Sequence, residues 1–166
     1  MREYTLTHLS DATVVHNLAA LVARDQTSTA MLLAYIAEID VRKLYAPAGC
    51  PSLFAYCTEE LHMSEDVACK RIAAARAART FPMLFLAIAE GRLHVSGVTV
   101  LAPHLTTGNI EELIKAATHR KKSEIEEMIA RRSSPAAIGA GNGALSGAVH
   151  DGESRPGFAA VRAGPP

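Results

Sequence analysis

Tryptophan is absent from this chain of 166 residues, and Phe and Tyr together supply only 5% of it. Yet 49% of the residues are hydrophobic. The core must therefore be built from Ala, Leu, Ile, Val and Met, an alphabet that favours helices over a sandwich or barrel. Cysteine is also scarce. Cys50, Cys57 and Cys69 form no C-x-x-C pair, so neither a disulfide framework nor a standard zinc site is signalled. Reduced thiols in or near a cytosolic core are expected instead. An excess of either charge is missing too: 17 Lys and Arg balance 17 Asp and Glu. That excludes a globally basic nucleic-acid coat or a polyacidic tail protein, so a charge-driven partner must be met by a local patch. The longest apolar run, Phe81 to Ala89, falls far short of a membrane span. The opening Met1-Arg2-Glu3-Tyr4-Thr5 lacks the apolar core of a signal peptide. The expectation is a cytoplasmic protein without a membrane partner.

What is present divides near Arg132. Residues 133–166 hold seven Gly, four Pro, eight Ala and four Ser. Their few large apolar residues, Ile138, Leu145, Val149, Phe158 and Val161, keep no steady period. Such a segment cannot bury enough surface to hold one conformation, and a disordered tail is predicted there. Residues 6–132 are dense in helix formers and are predicted to form one multi-helix, all-α domain.

Within that domain, Ser10-Asp11 signals a helix start. Val14, Leu18, Leu21 and Val22 follow at helical spacing, and the stripe resumes at Leu32, Leu33, Ile36 and Ile39. The polar stretch Arg24 to Thr29 lies between, so either one helix covers 11–44 or it kinks near Asp25. Pro47, Gly49 and Pro51 end this unit. Ser52 caps a short helix from Leu53 to Leu61, His62-Met63 makes a tight connection, and Ser64-Glu65-Asp66 opens the next helix. Pro82 starts another, which Gly91 stops. Val95 to Leu101 forms a short helix before Pro103. Thr107 is the cap expected for a helix over 109–118. Ser123 with Glu126 reads as a capping box for the last helix, to about Arg131. No stretch shows strand alternation with hairpin turns.

The sharpest signal is SLFAYCTEELHMSEDVACKRIAAARAAR, residues 52–79. Two helices joined by about three residues, the second opened by Ser, have the build of a helix-turn-helix. Leu61 is expected to face the partner helix and Met63 to plug the corner, where His62 replaces the usual Gly. Ala68, Ile72 and Ala75 share the inward face. Ser64, Glu65, Lys70 and Arg71 are then placed to meet base edges or phosphates of double-stranded DNA, with Arg76 and Arg79 extending a local positive patch. A solvated helix face is the alternative for those charges. Lys115, Arg120, Lys121 and Lys122 form a second basic cluster, bordering a helix start that could take a phosphate. A salt-bridged exposed helix fits it equally, since Glu124, Glu126 and Glu127 follow.

Other candidate sites dissolve on inspection. His8 and His16, or His94 and His104, have no carboxylate at ligand spacing. Ser96 is not in a G-x-S-x-G turn. The GAGNG at 139–143 lacks the strand and helix of a phosphate loop. Glu59-Glu60 and Glu65-Asp66 suit exposure and capping better than acid–base work. No catalytic residue, metal ligand, cofactor or small-molecule substrate is signalled.

Two resemblances follow from these residues. The helix-turn-helix, then FPMLFLAIAEGRLHVSGVTVLAPHL and KKSEIEEMIARR, is similar in its order of parts to the DNA-binding region of ParB-type partition proteins, without their nucleotide-binding domain. More closely, residues 6–132 resemble the helical domain of unknown function that precedes an HNH nuclease core in many bacterial proteins. The phrases LVARDQTSTAMLLAYIAEIDVRKLY, FAYCTEELHMSEDVACKRIAAARAAR and LAIAEGRLHVSGVTVLAPHL carry this resemblance. It implies a role in positioning a nuclease on DNA, not in cleavage. The HNH motif itself is missing: His94, His104, His119 and His150 are scattered, and the only Asn residues are Asn17, Asn109 and Asn142. The resemblance therefore transfers no catalytic residue. A rival reading is a protein-interaction or homodimerisation module. Its seam would be Leu18, Leu21, Leu32, Ile36 and Ile39, which could equally be intramolecular core.

Overall fold

The computed structural model describes residues 4–133. The tail expected over 133–166 lies, apart from Ser133, outside the described residues. Within them the chain is all helical. The order is α1 (Asp11–Arg42), α2 (Leu53–Ala55, continued by a π-helical turn, Tyr56–Glu60), α3 (Glu65–Thr80), α4 (Met83–Ala89), α5 (Val95–Leu101, followed by a 3-10 turn, Ala102–His104), α6 (Ile110–Ala117) and α7 (Lys122–Ser133). None of these helices is long and apolar enough to cross a membrane.

The first helix is unbroken. Ser10 caps it by accepting the Thr13 N–H at 3.2 Å. The polar stretch from Arg24 to Thr29 contains no Pro or Gly, and the Thr27 hydroxyl donates back to the Ala23 carbonyl at 3.1 Å. Nothing there interrupts the backbone ladder, so the kink considered near Asp25 does not form. The helix ends at Arg42 in a Schellman motif: Lys43 turns left-handed (φ 51), its N–H donates to Asp40, and the Leu44 N–H reaches Ile39.

Only the second half of α1 enters the core. Ala30, Leu33, Ile36 and Ala37 are buried, and Leu32 and Ile39 pack against them. The last polar support is Gln26, whose side chain lies against Gly91 after α4. Before Gln26 every residue of α1 except Val14 is exposed. Three of the five residues of the proposed seam (Leu32, Ile36 and Ile39) therefore belong to the intramolecular core, while Leu18 and Leu21 face solvent.

The helix-turn-helix forms with a modified first member. Ser52 accepts the Ala55 N–H at 3.0 Å. The α pitch then widens: the Leu61 N–H reaches back five residues to Tyr56 at 3.1 Å. The Thr58 hydroxyl donates to the carbonyls of Phe54 and Ala55, occupying acceptors of the ordinary ladder. Widening rotates Leu61 outward, and it is 41% exposed rather than facing α3. Met63 alone fills the corner, half-buried, with its N–H on the Cys57 carbonyl. His62 adopts the left-handed conformation at the corner (φ 52), where Gly is the unstrained residue.

Beyond the corner, α3 packs against α1, α2, α4 and α5. Ala68, Ile72 and Ala75 point inward as expected, and Ala74 and Ala78 are buried as well. Around it the core is closed by Leu84 and Ile88 of α4, Val98 and Leu101 of α5, Leu113 and Ile114 of α6, and Ile125 and Ile129 of α7. Among the described residues no polar side chain is buried.

The last helices start differently from their sequence signals. Before α6, Asn109 rather than Thr107 organises the turn: its Oδ1 accepts the Thr106 N–H at 2.8 Å and its Nδ2 donates to the His104 carbonyl. Asn can do both because it carries a donor and an acceptor, while the Thr107 side chain is exposed. α7 starts at Lys122, with Glu124 accepting the Lys121 N–H at 2.7 Å. Ser123 thus lies inside the first turn and Glu126 pairs with Lys122 instead, so the expected capping box does not form.

Candidate nucleic-acid interface

Covered on several sides, α3 shows water only a narrow stripe: Glu65, Asp66, Cys69, Ala73, Arg76, Arg79 and Thr80. Its first turn, which a major-groove helix would present to base edges, carries exposed Ser64, Glu65 and Asp66. Ser64 stands at the N-cap, but its hydroxyl makes no capping bond. Two acids at that end favour the helix dipole and oppose a phosphate.

The basic residues of the patch point in different directions around α3, and most already have partners. Lys70 pairs with Asp66 one turn earlier at 2.6 Å. Arg76 clasps Asp40 of α1 with two nitrogens, at 2.7 and 3.2 Å. Arg79 reaches Glu38 of α1 at 3.4 Å, and Arg42 hydrogen-bonds the same carboxylate. The hydrogen bond from Arg76 holds the Asp40 carboxyl below the usual range, against the opposing effect of burial. The Arg42 hydrogen bond does the same for Glu38. Arg71 is half-buried against the Met63 sulfur at 3.6 Å. It lies close enough to Cys57 to oppose in part the upward push that burial gives that thiol. The Arg76–Asp40 and Arg79–Glu38 pairs join residues 36 and 41 apart in sequence, which no local pattern reveals.

Cations without a carboxylate within ion-pair distance are found elsewhere. Among the described residues these include Lys115, Arg120 and Lys121, all exposed, at the end of α6 and the turn into α7. They belong to the second basic cluster of the sequence; its fourth member, Lys122, is paired with Glu126 at 3.3 Å. The turn is fastened to the start of α5 by two bonds. The His119 N–H donates to the Arg92 carbonyl at 2.9 Å. His94 lies with Nε2 at 3.1 Å from the Arg120 carbonyl, while its Nδ1 accepts the Gly97 N–H at 2.9 Å. That bonding pattern defines the tautomer with the proton on Nε2. Arg120 and Lys121 thus sit on a braced turn just before the first amides of α7, which no helical carbonyl reaches, while Lys115 stands in the last turn of α6.

Among the described residues, no three or more His, Cys, Asp or Glu side chains are grouped so that they could hold a metal ion. No family model, no curated protein and no solved structure matches this chain.

Proposed function

We propose that the domain is a DNA-binding helical module without catalysis of its own. Its resemblance is to the part that precedes an HNH nuclease core, and its role would be to hold such an activity on double-stranded DNA. The observation that carries this reading is the braced α6–α7 turn. In a chain of zero net charge, Lys115, Arg120 and Lys121 are exposed and make no ion pair, which leaves them available to phosphate oxygens. The helix-turn-helix adds Ser64, Glu65, Lys70, Arg71, Arg76 and Arg79. Of these, Lys70, Arg76 and Arg79 reach phosphate only by exchanging a carboxylate for it. The cations free to meet phosphate without losing a partner are therefore those at the end of α6 and in the turn into α7, and those of α3 contribute less.

Fluorescence anisotropy with a labelled duplex over a salt series tests this. With about three to four phosphates neutralised, log affinity falls against log salt with a slope of roughly −2.7 to −3.6. Replacing Lys115, Arg120 or Lys121 by Ala lowers that slope by about one unit each. Arg76→Ala lowers it less, because Asp40 already engages that guanidinium and little counterion is released through it. A folded chain that fails to bind duplex at ~50 mM salt, where non-specific binding is favoured, rejects the DNA reading and leaves the interaction module.

A further inference from the structure

We infer that the projecting half of α1 is a homodimer seam, in which two copies lie antiparallel with Leu18 on the two-fold axis. The exposed stripe consists of Val15, Leu18, Leu21 and Val22, at 68%, 61%, 60% and 48% exposure, with half-buried Val14 beside them. On a helix these positions share one face. A contiguous apolar patch of this kind marks an interaction site.

Two independent features choose a second copy as the occupant. The pattern is a palindrome about Leu18: Val14 mirrors Val22, Val15 mirrors Leu21, and Leu18 mirrors itself. A two-fold interface requires this reciprocity, residue i meeting j while j meets i. The helix length agrees. The free segment runs from Asp11, where α1 begins, to Asp25, just before Gln26 rests on Gly91. Its midpoint is again Leu18. Two copies centred there overlap over the whole free segment, about 22 Å. Each helix start then meets the edge of the other copy's body without entering it. Parallel pairing would instead bring the two bodies to the same end.

The seam is short, below the roughly 1,200 Å² of a standard interface, so dimerisation is expected in the micromolar range. The antiparallel register also sets Asp11 of one copy beside Asp25 of the other, a like-charge contact at each end. This proposal stands apart from the DNA reading.

Sedimentation equilibrium of the full chain over a range of roughly 1 to 200 µM, spanning that expected range, gives the primary readout. Expected are a monomer–dimer equilibrium, at least a tenfold weakening by Leu18→Glu with an unchanged far-UV spectrum, and a salt-sensitive tightening by Asp25→Lys. Register is read by oxidation with oxidised glutathione in a Cys69→Ser background, since Cys50 and Cys57 are buried. Leu18→Cys should cross-link to its own copy. Val14→Cys alone should not, because its two copies stand about 12 Å apart along the axis, beyond disulfide reach. A mixture of Val14→Cys and Val22→Cys chains should. A chain monomeric at every concentration overturns the proposal, whether the stripe then proves open to proteases or covered by another segment. Self-linking of Val14→Cys, or loosening by Asp25→Lys, overturns the antiparallel register.

Discussion

Gly97→Ala measures how closely α5 approaches α7. In an ordinary helix interior the change should stabilise by roughly 0.8–1.0 kcal/mol, because Ala is the better helix former. Here a Cβ on Gly97 would stand 3.0 Å from Cδ1 of Ile125 and 3.3 Å from the His94 ring. Ile125 is fully buried, so its methyl cannot swing into solvent, and His94 is held at both ring nitrogens. Overpacking of this kind costs about 1–3 kcal/mol. The net expectation is a destabilisation of about 1 kcal/mol. Ile125→Val removes the offending Cδ1 and by itself costs about 0.5–1.5 kcal/mol. In the double variant the Ala methyl fills the vacated space, so the two losses should not add. A double-mutant cycle by urea denaturation, followed by far-UV circular dichroism, should return a coupling of about 1–2 kcal/mol in favour of the pair. A stabilised Gly97→Ala single variant, or additivity within about 0.5 kcal/mol, would refute the close crossing of α5 and α7.

Three further outcomes follow from the described contacts. Ile72→Ala should cost about 2–4 kcal/mol; a change under about 0.5 kcal/mol would mean that α3 is turned the other way round. His62→Gly should raise stability by about 0.5–1 kcal/mol, since it relieves the left-handed corner at a modest cost through the flexible unfolded chain; a loss would show that the imidazole itself holds the corner. Because Arg76 depresses the Asp40 pKa, their bridge contributes fully above the unfolded value near pH 4 and fades as pH falls through the lower folded value. Arg76 is largely exposed, so the contribution should stay under about 1 kcal/mol. Asp40→Asn should remove that acid limb from a stability–pH curve, and an unaltered limb would sink the assignment.

Local signals in the sequence were reliable where one side chain decides the outcome. Ser10 and Ser52 cap as their type and position require, Gly91 stops α4 at φ 71, and the inward face of α3 follows from spacing alone. They failed where two groups compete for one role. Asn109 displaced Thr107 because it both donates and accepts, and Glu124 reached the Lys121 amide before Ser123 could act as cap. The candidate site was legible only in part. Composition located the cations, but their charge state as a surface depends on Asp40 and Glu38, which tertiary packing brings to Arg76 and Arg79. Likewise, the apolar stripe of α1 has the same period in both halves. Periodicity says which face will be covered and is silent on whether the cover comes from the same chain.

The alanine lining of α3 has a consequence for how the domain changes over time. Ala68, Ala74, Ala75 and Ala78 have no rotamers to lose on burial, so the most enclosed helix is also the one whose side chains are cheapest to order. The same feature removes its slack. A larger residue at these fully buried positions adds volume where none is free and strains the packing around α3, whereas a shorter side chain at Leu84 or Leu113 leaves space that neighbouring side chains can partly refill. Drift in sequence should therefore run freely through the outer helices and nearly stop along α3, leaving an alanine ladder as the most durable mark of common descent in this fold.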